Sequence, residues 1–240
     1  LSNKLGGISK FVSKLERMPE IQGALFKIEG GKMTIAATDS FRLYQTTIPV
    51  SSMKDTKFIL ASPGKVSKGL SNLEGNIRII EGKDQVFFVG DNGRIVARKI
   101  EGEYPTYEKI LPVFEKEFSI NIIELNSALK GLGPFVSELE NKEVSIIANK
   151  GGVTIFAEGK GKSMEVFLKG TSKDIKTTGK ADDGIIIMPI QGTEKNTVQF
   201  NYSYLKDMVS TAKGAERDII NLRVTADMSS KPAQFVWKTK

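Results

Sequence analysis

The 240-residue chain contains no cysteine and no histidine. Without cysteine there can be no disulfide, thiolate nucleophile or Cys-ligated zinc, a usage that fits a reducing cytoplasm. Without histidine the commonest general base and the commonest metal ligand are both missing, which excludes most hydrolytic triads and metalloenzyme sites. Long apolar runs are lacking too: none approaches the roughly 18 residues that a membrane-spanning helix needs. A chain with no membrane contact is expected. Leu1 carries neither an initiator methionine nor a signal-peptide pattern, which reads as a chain with something removed upstream.

Basic residues are what the sequence has in excess, 35 Lys plus Arg against 28 Asp plus Glu, a net charge of +7. A balance of this size suits a polyanion such as nucleic acid, and equally a solvated lysine-rich surface, so the positions of the charges decide. The length allows one large domain or two of about 100 to 150 residues.

Periodicity alternates between helix and strand. ISKFVSKLERM (8 to 18) puts Ile8, Phe11, Val12, Leu15 and Met18 on one helical stripe. ALFKIEGGKMTIAATD (24 to 39) reads as two strands around a Gly-Gly hairpin turn, and SFRLYQTTIPV as a third. SPGKVSKGLSNL (62 to 73) predicts a second helix, with Ser62 as cap and Pro63 at the first helical position. Residues 76 to 100 predict three more strands with turns at Gly82-Lys83-Asp84 and Asp91-Asn92-Gly93.

The second half runs the same way. Residues 122 to 136 predict a helix with Leu125, Ala128, Leu129 and Leu132 inward, 143 to 170 a three-strand meander, 201 to 214 a helix, and INLRVTAD and AQFVWK closing strands. EGGKMTIAA (29 to 37) recurs as NKGGVTIFA (149 to 157), about 120 residues later, so the chain reads as two copies of one unit. The expected fold class is α+β, each copy having two helices packed on antiparallel sheet. VFEKEFS (113 to 119) reads as the junction, giving modules 1–115 and 116–240.

The polar faces of the four predicted helices are basic: Lys10, Lys14 and Arg17 on the first, Lys65 and Lys68 on the second, Lys130 on the third, Lys206 and Lys213 on the fourth. Lysine is a good helix former, so a plain solvated face explains this as well as a phosphate-facing one does. With arginine rare and no interleaved aromatics, a nucleic-acid contact here would be to the backbone and independent of base sequence. Catalytic motifs fare worse. GKGKS (159 to 163) lacks the leading glycine of a phosphate-binding loop and is followed by a strand pattern. The Ser-x-x-Lys spacings at Ser51–Lys54, Ser203–Lys206 and Ser210–Lys213 lack an oxyanion site, and Asp182-Asp183-Gly184 lacks further calcium ligands. No enzyme activity and no cofactor or metal are expected.

Three stretches carry a resemblance. ATDSFRLYQTTIPV (37 to 50) resembles the Ala-Thr-Asp-Gly-His-Arg-Leu strand of the bacterial DNA sliding clamps, the DNA polymerase III beta subunits. GEYPTYEKILP (102 to 112) is similar to that family's Gly-x-Phe-Pro-Asp-Tyr-x-x-Val-Leu-Pro, which leads from the second clamp domain into the third, and FNYSYLKDMV (200 to 209) to its Phe-Asn-x-x-Tyr-Leu-x-Asp. The resemblance implies two sliding-clamp domains, like the family's middle and C-terminal ones. It also implies a non-catalytic, cytoplasmic, nucleoid-associated processivity factor that encircles double-stranded DNA. By the same match Ile21, Thr38, Ser40, Phe41, Arg42 and Leu43 would form one wall of a peptide-binding cleft, Pro105, Lys109 and Ile110 would line it, and Asn201, Tyr204, Met228 and Ser230 would contribute from the other domain. DNA polymerase and clamp loader would insert short linear motifs there. The ring would be a homo-oligomer: a dimer if a third domain precedes this chain, a trimer if it does not.

The departures are specific. Ser40-Phe41 stands where the family has Gly-His, Thr106 replaces the usual Asp, the family's closing Leu- or Met-Pro strand does not follow AQFVWK, and 171 to 196 is longer than the family's connection. Two alternatives stay open at this level: a two-domain adaptor that binds proteins only, and a monomeric, sequence-nonspecific DNA-binding protein.

Overall fold

The computed structural model describes the chain apart from residues 52–53, 150, 179–183, 190–196, 213–217, 227–230 and 239–240. It packs as two units, Leu1–Thr106 and Tyr107–Lys240, so residues 107–115, expected with the first module, pack with the second.

The first unit runs α1 (Ser2–Ile8), a 3-10 turn (Pro19–Ile21), β1 (Ala24–Glu29), β2 (Lys32–Thr38), β3 (Leu43–Pro49), β4 (Thr56–Leu60), α2 (Pro63–Leu70), β5 (Arg78–Glu81), β6 (Gln85–Val89) and β7 (Arg94–Ile100). Its strands pair antiparallel in the order β3-β2-β1-β4-β7-β6-β5. Gly30 and Gly31, at φ 56° and 75°, make the tight turn that the sequence placed between β1 and β2. Phe26 stacks on Phe58 at 5.0 Å and meets Phe88 edge-on at 6.5 Å, which fixes β1, β4 and β6 around one aromatic centre.

The first helix is displaced from its expected place. It occupies Ser2–Ile8, and 9–18 is turn and irregular chain. Propensity favours the later stretch, since SNKLGGI holds two glycines. Packing reverses the preference. The glycines let α1 and α2 approach closely: a Cβ on Gly6 would lie 3.2 Å from Ser67 Oγ, and one on Gly64 3.1 Å from Ser9 Cβ. Ser2 Oγ donates to Ser67 O and Ser67 Oγ donates to Ser2 O, each at 2.8 Å. Of the expected stripe, Ile8 and Phe11 are buried, while Leu15 is 41% exposed. Ser62 occupies the N-cap position of α2 in a left-handed conformation, but its side chain makes no capping hydrogen bond.

The second unit runs a 3-10 turn (Tyr107–Ile110), β8 (Phe114–Asn121), α3 (Ile122–Ser137), β9 (Glu143–Asn149), β10 (Gly152–Gly159), β11 (Lys162–Thr177), β12 (Gly184–Met188), β13 (Thr197–Asn201), α4 (Tyr202–Thr211), β14 (Ile219–Val224) and β15 (Ala233–Trp237). Strand order is β13-β9-β10-β11-β8-β14-β15-β12. The β13-β9-β10-β11 half repeats β4-β1-β2-β3 of the first unit, with β13 leading into α4 as β4 leads into α2. The duplication read from two hairpin sequences is therefore one of topology. GKGKS is the β10–β11 turn, with Lys160 and Gly161 at φ 52° and 73°.

The expected junction is a strand. β8 pairs with β11 on one side and β14 on the other, so its charged residues lie within a sheet. Glu117 is only 4% exposed, yet it is neutralised across the sheet by Arg223 Nε at 2.6 Å and Lys173 Nζ at 2.9 Å. Burial alone would raise its pKa; the hydrogen bond from Arg223, then that from Lys173, outweighs burial and holds the carboxyl below its ordinary value. Arg223 in turn donates to Gln234 at 3.4 Å.

Candidate functional site

In the first unit the loop between β2 and β3 is built around Asp39. Its Oδ1 accepts from the backbone N–H of Phe41 at 3.0 Å and of Arg42 at 2.9 Å, and its Oδ2 from Arg42 Nε at 3.1 Å. Thr38 Oγ1 donates to Arg42 O at 2.8 Å and accepts from Ser40 N at 3.2 Å. A short polar side chain that closes its own turn is the local reason the strand pattern breaks at residues 39–42. Arg42 is buried, with one guanidinium nitrogen donating to Lys10 O at 3.1 Å and its carbon 4.7 Å from the Phe11 ring centroid. The loop is thereby tied to the chain that follows α1.

That clasp decides which side chains are presented. Leu43 and Ile21 are buried, whereas Phe41 is 64% exposed. Ser40 holds φ 75°, a left-handed conformation that suits glycine, and its hydroxyl lies 3.7 Å from Met18 Sδ. Pro105 is exposed and follows Tyr104, which is buried beside Thr38. Burial raises the Tyr104 pKa above that of an ordinary phenol, and the nearby Asp39 charge pushes the same way. Thr38, Ser40, Phe41 and Arg42 thus form one hydrogen-bonded loop that runs into buried Leu43, and Ile21 is buried at the end of the 3-10 turn Pro19–Ile21.

The remaining cleft candidates lie in the second unit. Lys109 is exposed on the 3-10 turn 107–110, where Ile110 is also found. Asn201 is the N-cap of α4, its Oδ1 accepting from Ser203 N at 2.9 Å and from Ser203 Oγ at 2.6 Å. Tyr204, one turn on, is half-buried. Met228 and Ser230 lie outside the described residues.

Of the basic candidates, Lys65 and Lys68 are exposed on α2, Lys130 on α3 and Lys206 on α4, each opposite the buried stripe of its helix. Lys206 Nζ sits 5.4 Å from the centroid of Tyr202, whose hydroxyl donates to Leu129 O at 2.7 Å and joins α4 to α3. Lys10, Lys14 and Arg17 are exposed but stand on irregular chain, so the shared helical face expected for them does not exist. Lys4 is the basic residue that α1 carries. Lys213 lies outside the described residues. The residue that sequence reasoning missed is Asp39: an Asp followed two and three residues later by the N–H groups it caps was a legible turn signal.

Residues 7–106 match the family model described as DNA polymerase III beta subunit, central domain. Two full-length relatives are similar across nearly the whole chain: the beta sliding clamp of Bacillus subtilis, 26% identical over 210 residues, and that of Staphylococcus aureus, 25% identical over 224. Residues 7–106 thus resemble a sliding clamp's central domain, and most of the chain resembles the bacterial beta sliding clamps. The matches cover 85% and 91% of this chain but 51% and 55% of those proteins, so it spans about half the length of these clamps. Among solved structures, the DNA polymerase III beta subunit of Thermotoga maritima superposes with a TM-score of 0.77 at 15% identity, covering 100% of this chain and 63% of that one. The B. subtilis sliding clamp gives 0.76 at 19% identity, covering 100% and 62%. These two likenesses bear on the fold, which is that of sliding-clamp domains.

Proposed function

We propose that the protein acts as a DNA sliding clamp, a non-catalytic processivity factor whose helices line a ring around duplex DNA and whose Asp39-clasped loop is one wall of the cleft that tethers a polymerase and a clamp loader. The observation that carries the first half is the set of exposed lysines on α2, α3 and α4, opposite the buried faces of those helices. An exposed lysine supplies the mobile point charge that a contact to a backbone phosphate needs, without any reading of bases. A ring holds DNA by topology, so these contacts need only be weak and labile. Each phosphate neutralised contributes about 0.9 to the slope of log affinity against log salt. The homo-oligomer that closes the ring is a dimer of three-domain subunits or a trimer of two-domain ones.

For the cleft, the support is the fixed geometry of residues 38–43 together with the exposure of Phe41, an apolar group held out on a rigid loop. Pro105, Lys109, Ile110, Asn201, Tyr204, Met228 and Ser230 complete it in this reading. Charge reversal tests the DNA half. Lys65→Glu with Lys68→Glu and Lys130→Glu should lower loading on nicked circular duplex at least about tenfold and reduce the salt slope by about one per lysine in contact. Loading that is unchanged by all three favours the protein-only adaptor instead.

A further inference from the structure

The three-strand ribbon β5–β6–β7 turns one face into the first unit's core and the other outward. Opposed residues in antiparallel strands share a face. Ile79–Phe88–Ile95 and Glu81–Val86–Ala97 form the inner rows, where Val86, Phe88 and Ala97 are buried. The outer rows are Arg78–Val89–Arg94, Ile80–Phe87–Val96 and Gln85–Arg98. Across the middle row Ile80 is 51% and Val96 47% exposed, with Phe87 half-buried between them. An apolar strip therefore crosses all three strands in the open.

Its flanks are cationic. Arg78, Arg94 and Arg98 are three of the chain's seven arginines, although lysine outnumbers arginine four to one. The outward face carries no carboxylate, and none of the three guanidiniums has an acidic partner among the described residues. Arg78 and Arg94 are two strands apart, about 10 Å, and Arg98 is four residues along from Arg94, about 13 Å. Forked donors at that spacing around an apolar row match carboxylates that alternate with apolar side chains on an extended or helical segment.

The geometry points to this face as a docking surface for an acidic polypeptide segment that also carries apolar side chains, separate from both the 38–43 loop and the helix lysines. Charge complementarity selects that occupant. A second copy of the same face would bring six arginines together without a counter-charge. A single-stranded nucleic acid would find two aliphatic side chains and a half-buried ring where it needs stacking platforms.

A fluorescein-labelled peptide of alternating glutamate and leucine is a suitable probe, read by anisotropy at low and moderate salt. It should bind the wild-type protein in a salt-sensitive way, and a Lys-Leu peptide of equal length should not. Arg78→Glu, Arg94→Glu and Arg98→Glu combined should weaken it at least about tenfold, and Val96→Glu, which leaves the arginines in place, should weaken it as well. The milder Arg94→Gln with Arg98→Gln guards against a folding defect and should give an intermediate loss. Undiminished peptide binding in the triple variant overturns the inference. So does an oligothymidine that binds wild type and is lost on the same substitutions while the peptide is not.

Discussion

At the scale of single residues, two carboxylates each organise their surroundings, and neither is exposed in the way a charged residue ordinarily is. Asp39 closes the 38–43 turn and neutralises Arg42. Asp39→Ala removes both the turn acceptor and the Asp39–Arg42 ion pair; the expected loss is about 2–3 kcal/mol in urea unfolding. Asp39→Asn keeps the turn acceptor and should lose less. Glu117 has a pKa lowered in the folded state, chiefly through Arg223 working against burial. Its stabilising contribution is therefore complete above the unfolded glutamate range, near pH 4.3, and drains away as pH falls through the lower folded value. Glu117→Gln should flatten that acid limb and cost about 2 kcal/mol at neutral pH, measured as urea midpoint against pH. In the sequence, Glu117 looked like part of a charged junction because its partners are 56 and 106 residues away. Asp39 was legible locally and was passed over. Ser40 does not itself declare its left-handed backbone, but the glycine that the resembled family carries at that position does.

At the scale of elements, strands with alternating apolar residues and glycine turns were visible, and most lie where the pattern puts them. β4, β8, β12 and β13 were not. β4 is short, and β8 carries its charges on a face that only cross-strand partners make tolerable. The first helix was misplaced because an amphipathic period in 8–18 is a local signal, whereas the close approach of α1 to α2 depends on Gly6, Gly64, Ser2 and Ser67 meeting across the unit. β11 shows the same lesson in one residue. Lys162–Lys169 pairs with β10, and from Gly170 onward the strand pairs with β8. A Cβ on Gly170 would stand 2.4 Å from the backbone oxygen of Ser119, an atom that cannot rotate away. Gly170→Ala should therefore destabilise by about 2–4 kcal/mol in denaturant unfolding, although exchanging glycine for alanine in a strand usually helps. Gly131, with open space around it on α3, supplies the control: Gly131→Ala should be neutral or stabilising by up to about 1 kcal/mol.

For the whole molecule, the repeat of one topology in both units was readable from two nine-residue hairpins, and the likeness to sliding clamps from three short motifs. Lysines on α2, α3 and α4 were read correctly as outward-facing because they follow from helical phase alone. The face proposed for Lys10, Lys14 and Arg17 failed with the helix that was meant to carry it. We propose that these modules hold DNA by enclosing it and scarcely by affinity. Retention on nicked circular duplex, followed through gel filtration at high salt before and after cutting the circle at one site, tests this most directly. Protein that stays with the circle and is released by the single cut is the predicted result. Equal retention on circular and linear DNA, or loss from both at the same salt, would contradict it.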